Sequence, residues 1–272
     1  MADNRWDGAG PGTSRCAPDW LALREPADAV ARATELIAPL RRLLSNHADA
    51  PGGRILVRDL GCGTGAMARW LAPRLPVPQH WILHDRDPDL LDRAWLTEPD
   101  VTFETRQGDL TGLDLRGTSL LTTSALLDLL IPSEVDELAD ACTAAGCPAL
   151  LTLSVAGRVE LTPEDPLDAG IAAAFDAHQR RGDLLGPDAV AYATWAFDRR
   201  GATVHRAASP WRLGPDEQEL TTQWFRGWVA AARRQNPRLP TRDYVRRRLE
   251  ACEAGELRAI VHHTDLLAIG AT

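Results

Sequence analysis

The sequence predicts an α/β fold, a mainly parallel sheet covered by helices on both faces, and three observations carry that expectation. Between Ile55 and Val155, short apolar runs alternate with helical patterns, as crossover connections between parallel strands require. A turn containing Gly61, Gly63 and Gly65 falls where the first of these runs gives way to helix. With 272 residues, 44% of them apolar, the chain is long enough to hide roughly 75% of its unfolded surface in one large domain.

Residues 1–18 are rich in Gly, Pro, Ser and Asp and bury too little apolar surface to offset their ordering entropy, which predicts a flexible leader. Residues 19–272 form the single expected domain. Its N-terminal helical part occupies 19–50, where Val30, Ala33, Ile37, Leu40 and Leu44 recur at helical spacing from Pro26 to Leu44. Pro39 marks the point where that segment splits or bends. In 51–156 the pattern places strands at 55–60, 80–84, 101–106, 119–123 and 149–155, with helices at 66–75, 88–95 and 132–145. Beyond Gly157 the pattern changes to helices near 166–181, 187–199, 215–235 and 241–253, with strands near 202–207 and 257–269.

Composition removes several functions. Thirty basic against 38 acidic residues give a net charge of -8, which disfavours general affinity for nucleic acid or anionic membrane. Every basic residue is arginine, so lysine Schiff-base chemistry and the lysine-bearing phosphate loop are excluded. Cysteines at 16, 62, 142, 147 and 252 are odd in number and lack paired metal-ligand spacing, which fits a reducing compartment. Without a secretory leader or an apolar run of membrane-spanning length, the protein is expected to be cytoplasmic and without a membrane partner. His262 and His263 are adjacent in an expected strand, face opposite sides and cannot chelate one ion, so no metal site is expected there.

The chemistry is carried by Asp59-Leu60-Gly61-Cys62-Gly63-Thr64-Gly65 at the strand-to-helix junction. Glycines there let a ligand approach the main chain, and free amides at a helix start favour negative charge. The next strand ends in Asp85, where a carboxylate can accept both hydrogen bonds of a ribose diol. The glycine spacing differs from the dinucleotide fingerprint, whose third glycine falls one position later, and this disfavours an NAD(P)-dependent oxidoreductase.

Asp59 to Gly65 resembles the first motif of the class I S-adenosylmethionine-dependent methyltransferases, an acid followed by three glycines at alternate positions. The resemblance continues through Asp85-Arg86-Asp87-Pro88-Asp89-Leu90-Leu91 and Gly108-Asp109-Leu110, and covers roughly residues 50–156. It implies a Rossmann-like, doubly wound seven-stranded sheet of order 3-2-1-4-5-7-6, strand 7 antiparallel, with a helical cover over the acceptor. It also implies S-adenosylmethionine as cofactor. The main chain of Leu60, Gly61, Cys62, Gly63 and Gly65 would cradle the methionine part, Asp59 would face its amino group, and Asp85, beside Arg86, would hold the ribose. Asp109 and the Leu110 amide would meet adenine, while Thr122, Thr123 and Ser124 would line the sulfonium and methyl.

Positioning alone supplies roughly 7–11 kcal/mol to such a displacement and one general base about 3–5, so the absence of an obvious base does not oppose the reading. His178 and Asp128 are the two candidate bases, each more simply an ordinary polar helical residue. Leu220, Trp224 and Trp228 share one helical face, for which core packing is the plain reading and contact with a planar acceptor or the sulfonium the functional one. By the same resemblance, the acceptor cover comes from residues 20–45 and 157–186. The expected partner is a small-molecule methyl acceptor. A nucleotide-binding protein without turnover is the alternative, and RNA methylation, suggested by eight arginines in 226–248, is a minor one.

Overall fold

The computed structural model of the chain describes residues 16–45, 53–75, 77–109 and 112–270. In order, the elements are α1 (Pro18–Ala31), α2 (Ile37–Ser45), β1 (Ile55–Leu60), α3 (Ala66–Leu71), β2 (Gln79–Asp85), α4 (Pro88–Leu91), β3 (Val101–Gln107) and β4 (Leu120–Ser124). There follow α5 (Pro132–Ala145), β5 (Ala149–Thr162), α6 (Asp168–Gln179), α7 (Ala189–Asp198), β6 (Thr203–Ala208), β7 (Trp211–Leu213), α8 (Gln218–Gln235), α9 (Thr241–Glu253) and β8 (Arg258–Ile269).

The sheet has the order β3-β2-β1-β4-β5-β8-β6, with β7 also paired to β8. β1 to β5 run parallel, and β8 is antiparallel to β5, β6 and β7. The expected order and the reversed strand are both present, but the described residues form eight strands, not seven. The extra one, β7, has three residues, too few for its alternation to register in the sequence. β5 extends to Thr162 because, after two register shifts, its outer half pairs with β8 from Val159↔Val261 to Thr162↔Arg258.

Three helical expectations need correction. The N-terminal helix begins at Pro18, not Pro26, since Trp20, Leu23, Ala27 and Ala31 recur at helical spacing and pack on one apolar cluster. Pro18 suits a first helical position, which needs no amide donor. The break comes at Arg32, where extended backbone sends the Ala33 amide to Asp265 Oδ2 at 2.9 Å. Pro39 sits instead in the first turn of α2, where it removes little. The expected helix at 88–95 ends at Leu91. Of the leader expected over 1–18, residues 1–15 lie outside the described residues.

Apolar side chains form three clusters. One lies between α2, α3 and the sheet, around Leu40, Leu71, Trp81 and Leu83. A second packs α5 and α7 on the opposite face, around Leu121, Val135 and Ala193. The third joins α6, α8, α9 and β7 to the outer halves of β5 and β8, around Ile171, Phe225 and Tyr244. Each fully buried Leu, Ile or Phe contributes about 1.5–3 kcal/mol. The sheet is thereby fixed with the carboxyl ends of β1, β2 and β4 opening toward the region between α1 and this third cluster.

Candidate active site

β1 places Asp59 beside Thr122 of β4, and the chain then turns through Gly61 (φ 63°), Gly63 (φ 55°) and Gly65 (φ 87°). All three have left-handed backbone that side-chain-bearing residues rarely adopt. A Cβ on Gly61 would lie 3.1 Å from Leu126 and one on Gly63 2.9 Å from Leu21, so a side chain at either position would crowd a leucine packed on the turn. The turn is held from three directions. The Cys62 amide donates to the His84 carbonyl at 2.9 Å, the Gly63 amide to Asp85 Oδ2 at 2.9 Å, and Arg69 to the Thr64 carbonyl while it pairs with Glu25 of α1.

This turn opens on a cavity of about 500 Å³, within the range of small-molecule sites. Five carboxylates, Asp28, Asp59, Asp85, Asp87 and Asp128, face three guanidiniums, Arg24, Arg32 and Arg86, around its wall. Asp59 is fully buried; its Oδ1 accepts from Thr122 Oγ1 at 2.7 Å, and its Oδ2 has no partner among the described residues. Burial pushes its carboxyl up to about 7, partly countered by the Thr122 bond and by Arg32. Arg32, also buried, donates Nη2 to Ser124 Oγ at 3.1 Å and lies over the Trp70 ring, while its Nε and Nη1 have no partner among the described residues. A buried acceptor and buried guanidinium donors thus stand unused among the residues of one wall. Asp85, raised by burial, accepts Gly63 and Asp87 amides on its two oxygens, each at 2.9 Å.

Asp28 accepts Nε and Nη2 of Arg24 at 2.9 and 3.1 Å and Trp211 Nε1 at 2.9 Å. The Arg24 guanidinium lies 4.9 Å from the Trp211 ring centre. Asp128 is buried in a short 3₁₀ turn, Leu127–Leu129, with Oδ1 unpartnered among the described residues and its carboxyl raised to about 6 by burial. Trp20, Phe175, Trp224 and His263 complete this side. Burial and the charge of Arg24 hold His263 down near 4, hence neutral at ordinary pH. Ala125 and Leu153, both with left-handed backbone (φ 53° and 55°), also line the cavity; strain of about 1–3 kcal/mol at such positions accumulates at functional sites. The Leu153 amide is held by Asp265 Oδ1 at 2.7 Å, and Asp265 also binds Ser209 and Ala33.

Gly61, Cys62, Gly63, Asp59, Asp85, Arg86, Ser124 and Asp128 therefore line one cavity. Leu60 and Thr123 point into buried packing, Gly65 sits behind the turn, and Thr122 acts on Asp59 instead of facing the cavity. Asp109 is exposed beyond β3 and is not among the described residues that line the cavity. Leu110 lies outside the described residues. His178 is displaced from its expected role: its two ring nitrogens face Arg181 at 3.1 Å and Arg234 at 3.3 Å, and it does not line the cavity. With Nε2 accepting from Arg234 and Nδ1 left to carry the proton toward Gln179 Oε1 at 3.4 Å, the accepting nitrogen of the ring is already engaged. The adjacent histidines of β8 do face opposite sides, His262 toward Glu160 at 2.8 Å and His263 toward Trp211.

Arg32, Arg24, Asp28 and His263 were not legible as site residues. The Arg24–Asp28 pair at helical i,i+4 spacing is a signal available in the sequence; Arg32 has none, because Ser124 and Trp70 reach it only through the fold.

The chain has the class I methyltransferase fold. A candidate type II methyltransferase from Anaeromyxobacter dehalogenans superposes with a TM-score of 0.54 at 18% identity, over 88% of this chain and 96% of that one. A phosphoethanolamine N-methyltransferase of Haemonchus contortus is also similar, with a TM-score of 0.48, 13% identity, and coverage of 100% of this chain and 61% of that one. No family profile and no curated protein sequence matches the chain. Among the described residues no helix is long and apolar enough to cross a membrane.

Proposed function

We propose that this protein is an S-adenosylmethionine-dependent methyltransferase acting on a small molecule. One observation carries the reading: a turn of alternate glycines opens on a cavity whose lining residues include Asp59, with a buried unpartnered carboxylate oxygen, Oδ2, and Arg32, with buried unpartnered guanidinium N–H groups. An amino acid head presents the complementary pair, an ammonium and a carboxylate, and burying either wall group without a partner costs about 1–3 kcal/mol or more. The residues fit the donor on that ground. Asp59 would accept from the amino group, Arg32 would donate to the carboxylate, and the main chain at Gly61 and Gly63 would lie against the methionine chain. Asp85 retains lone pairs for ribose hydroxyls on the oxygens that hold the turn.

When bound, S-adenosylmethionine supplies an electrophilic methyl on a sulfonium, a displacement that needs alignment and exclusion of water more than acid-base help. Trp20, Phe175, Trp211 and Trp224 exclude water from the remaining wall, and Asp128 is the carboxylate placed to orient an acceptor or take its proton. Titration calorimetry with S-adenosylhomocysteine, followed by incubation with methyl-labelled donor and fractionated small metabolites, tests the proposal. Binding and transfer of label to a metabolite are expected. Binding with intact donor recovered would reduce the protein to a nucleotide-binding module, and binding of reduced nicotinamide dinucleotide in place of S-adenosylhomocysteine would overturn the reading.

A further inference from the structure

We infer that the methyl acceptor is an aryl or arylalkyl compound bearing a basic amine, its nitrogen on Asp128 and its apolar body among Trp20, Phe175 and Trp224. The inference rests on the methyltransferase reading of this cavity. It follows from which wall groups are already committed. Asp59, Asp85 and Asp87 belong to the glycine turn and its flank, and Asp28 is neutralised by its double contact with Arg24 and by Trp211. Asp128, apart from that turn and buried to 5% exposure, has an oxygen without any partner among the described residues, as Asp59 has in the donor wall. The guanidiniums that act on it through space, Arg24 and Arg181, are engaged elsewhere, Arg24 with Asp28 and Arg181 with His178 and its carbonyl. His263, uncharged, supplies no counter-ion.

A buried carboxylate without a counter-ion is costly, and a ligand that brings one relieves it. A hydroxyl would complete the hydrogen bond and leave the charge; a carboxylate would add repulsion; an ammonium supplies both bond and charge. The rings select the same ligand. Trp224 stacks on Trp228 with centres 5.6 Å apart and planes 17° apart, and Phe175 packs on Trp228 at 6.4 Å, so Trp224 and Phe175 give an aromatic part to the cavity wall that Asp128 also lines. The Trp211 ring is already taken by Arg24, so the open aromatic surface is that of Trp20, Phe175 and Trp224. Such rings attract both planar apolar bodies and cations.

In the transfer, the Asp128 carboxylate takes a proton from the bound ammonium and exposes the nitrogen lone pair. Nitrogen then bonds to the methyl carbon as that carbon's bond to sulfur breaks; the electron pair of the broken bond stays on sulfur, and the positive charge ends on the methylated nitrogen.

The test uses the full chain first saturated with S-adenosylhomocysteine, whose binding is measured separately. Matched arylalkyl amines, alcohols and carboxylates of the same skeleton, such as phenethylamine, 2-phenylethanol and 3-phenylpropionate, are then compared by ligand-observed NMR. Amines are expected to bind about tenfold or more tighter than their alcohols, the advantage of a charged hydrogen bond, with carboxylates weakest. Asp128→Asn should bring amine and alcohol within threefold while S-adenosylhomocysteine binding persists. If alcohols or carboxylates bind as well as amines, or no amine in the set binds, the acceptor inference is overturned with the donor reading intact. Failure of S-adenosylhomocysteine itself to bind overturns the donor reading, and the acceptor inference with it.

Discussion

Asp85 is expected to serve the donor twice, and only a thermodynamic cycle separates the two services. Its carboxylate holds the Gly63 and Asp87 amides at 2.9 Å each, so Asp85→Ala removes two charge-assisted bonds that fix the turn. At about 1.5–3 kcal/mol apiece the loss reaches about 3–6 kcal/mol, less wherever water replaces the carboxylate, because the site is only half-buried. Reduced affinity in this variant alone therefore says nothing about ribose. The informative quantity is the coupling between Asp85 and a ribose hydroxyl, measured by calorimetry on the wild type and Asp85→Ala with S-adenosylhomocysteine and its 2′-deoxy and 3′-deoxy analogues. A direct bond predicts a coupling of about 1.5–3 kcal/mol, or about 10- to 150-fold, for at least one hydroxyl. A coupling below about 0.5 kcal/mol for both, within ordinary additivity error, would confine Asp85 to shaping the turn.

Gly63→Ala should destabilise the fold by about 1–2 kcal/mol, from left-handed backbone at φ 55°, and lower the melting temperature by roughly 2–8 °C. Because its Cβ would meet Leu21 of the cavity wall at 2.9 Å, affinity for S-adenosylhomocysteine should fall at least about tenfold; unchanged affinity in calorimetry would show that the ligand does not approach the turn. Asp59, raised to about 7, gives donor binding a pH dependence of definite sign. Only the ionised form accepts from the amino group, so the dissociation constant should be about tenfold weaker at pH 6 than at pH 8, and flat in Asp59→Asn. For folding the sign is opposite: a raised carboxyl adds stability that is complete below its unfolded value and is lost as pH rises through about 7, so the ligand-free protein should melt higher at pH 5 than at pH 8, and by less when Asp59 is replaced, because Asp128, raised to about 6, acts with the same sign.

The donor side of the fold was legible because its signals are local. Asp59 to Gly65 and Asp85 lie within 27 residues, each at the end of a strand, and the parallel register of β1 with β2 and β4 then places them together. The rest of the cavity wall was legible only in part: the segments 20–45 and 157–186 include Trp20 and Phe175, but how they join the Leu127–Leu129 turn, β7, α8 and β8 depends on the pairing of β5 with β8. Trp224 shows the limit: its helical spacing with Trp228 indicates a buried face, and Trp228 is indeed core, but one turn away Trp224 reaches the cavity. Asp128 and His178 looked equivalent in sequence. Burial after β4 leaves one with an unpartnered oxygen in a residue of the cavity wall, and Arg234 occupies a ring nitrogen of the other, outside that wall.

α1 ties donor and acceptor chemistry to one element. Glu25 pairs with Arg69, which holds the Thr64 carbonyl of the glycine turn, and Arg32 reaches Ser124 at the end of β4. The same helix gives Trp20, Arg24 and Asp28 to the wall near Asp128. It is anchored from α3 by Trp70 Nε1 to the Ala29 carbonyl at 3.0 Å, from β7 by Trp211 Nε1 to Asp28, and from β8 by Asp265 to the Ala33 amide just beyond its end. Bonds spread over four elements fix the helix more closely than its own propensity would, since Pro26 interrupts its internal ladder. A shift of α1 would therefore disturb the amino acid head at Arg32 and the acceptor wall at Trp20 together. That coupling suits a reaction in which alignment of two substrates, more than any single base, lowers the barrier.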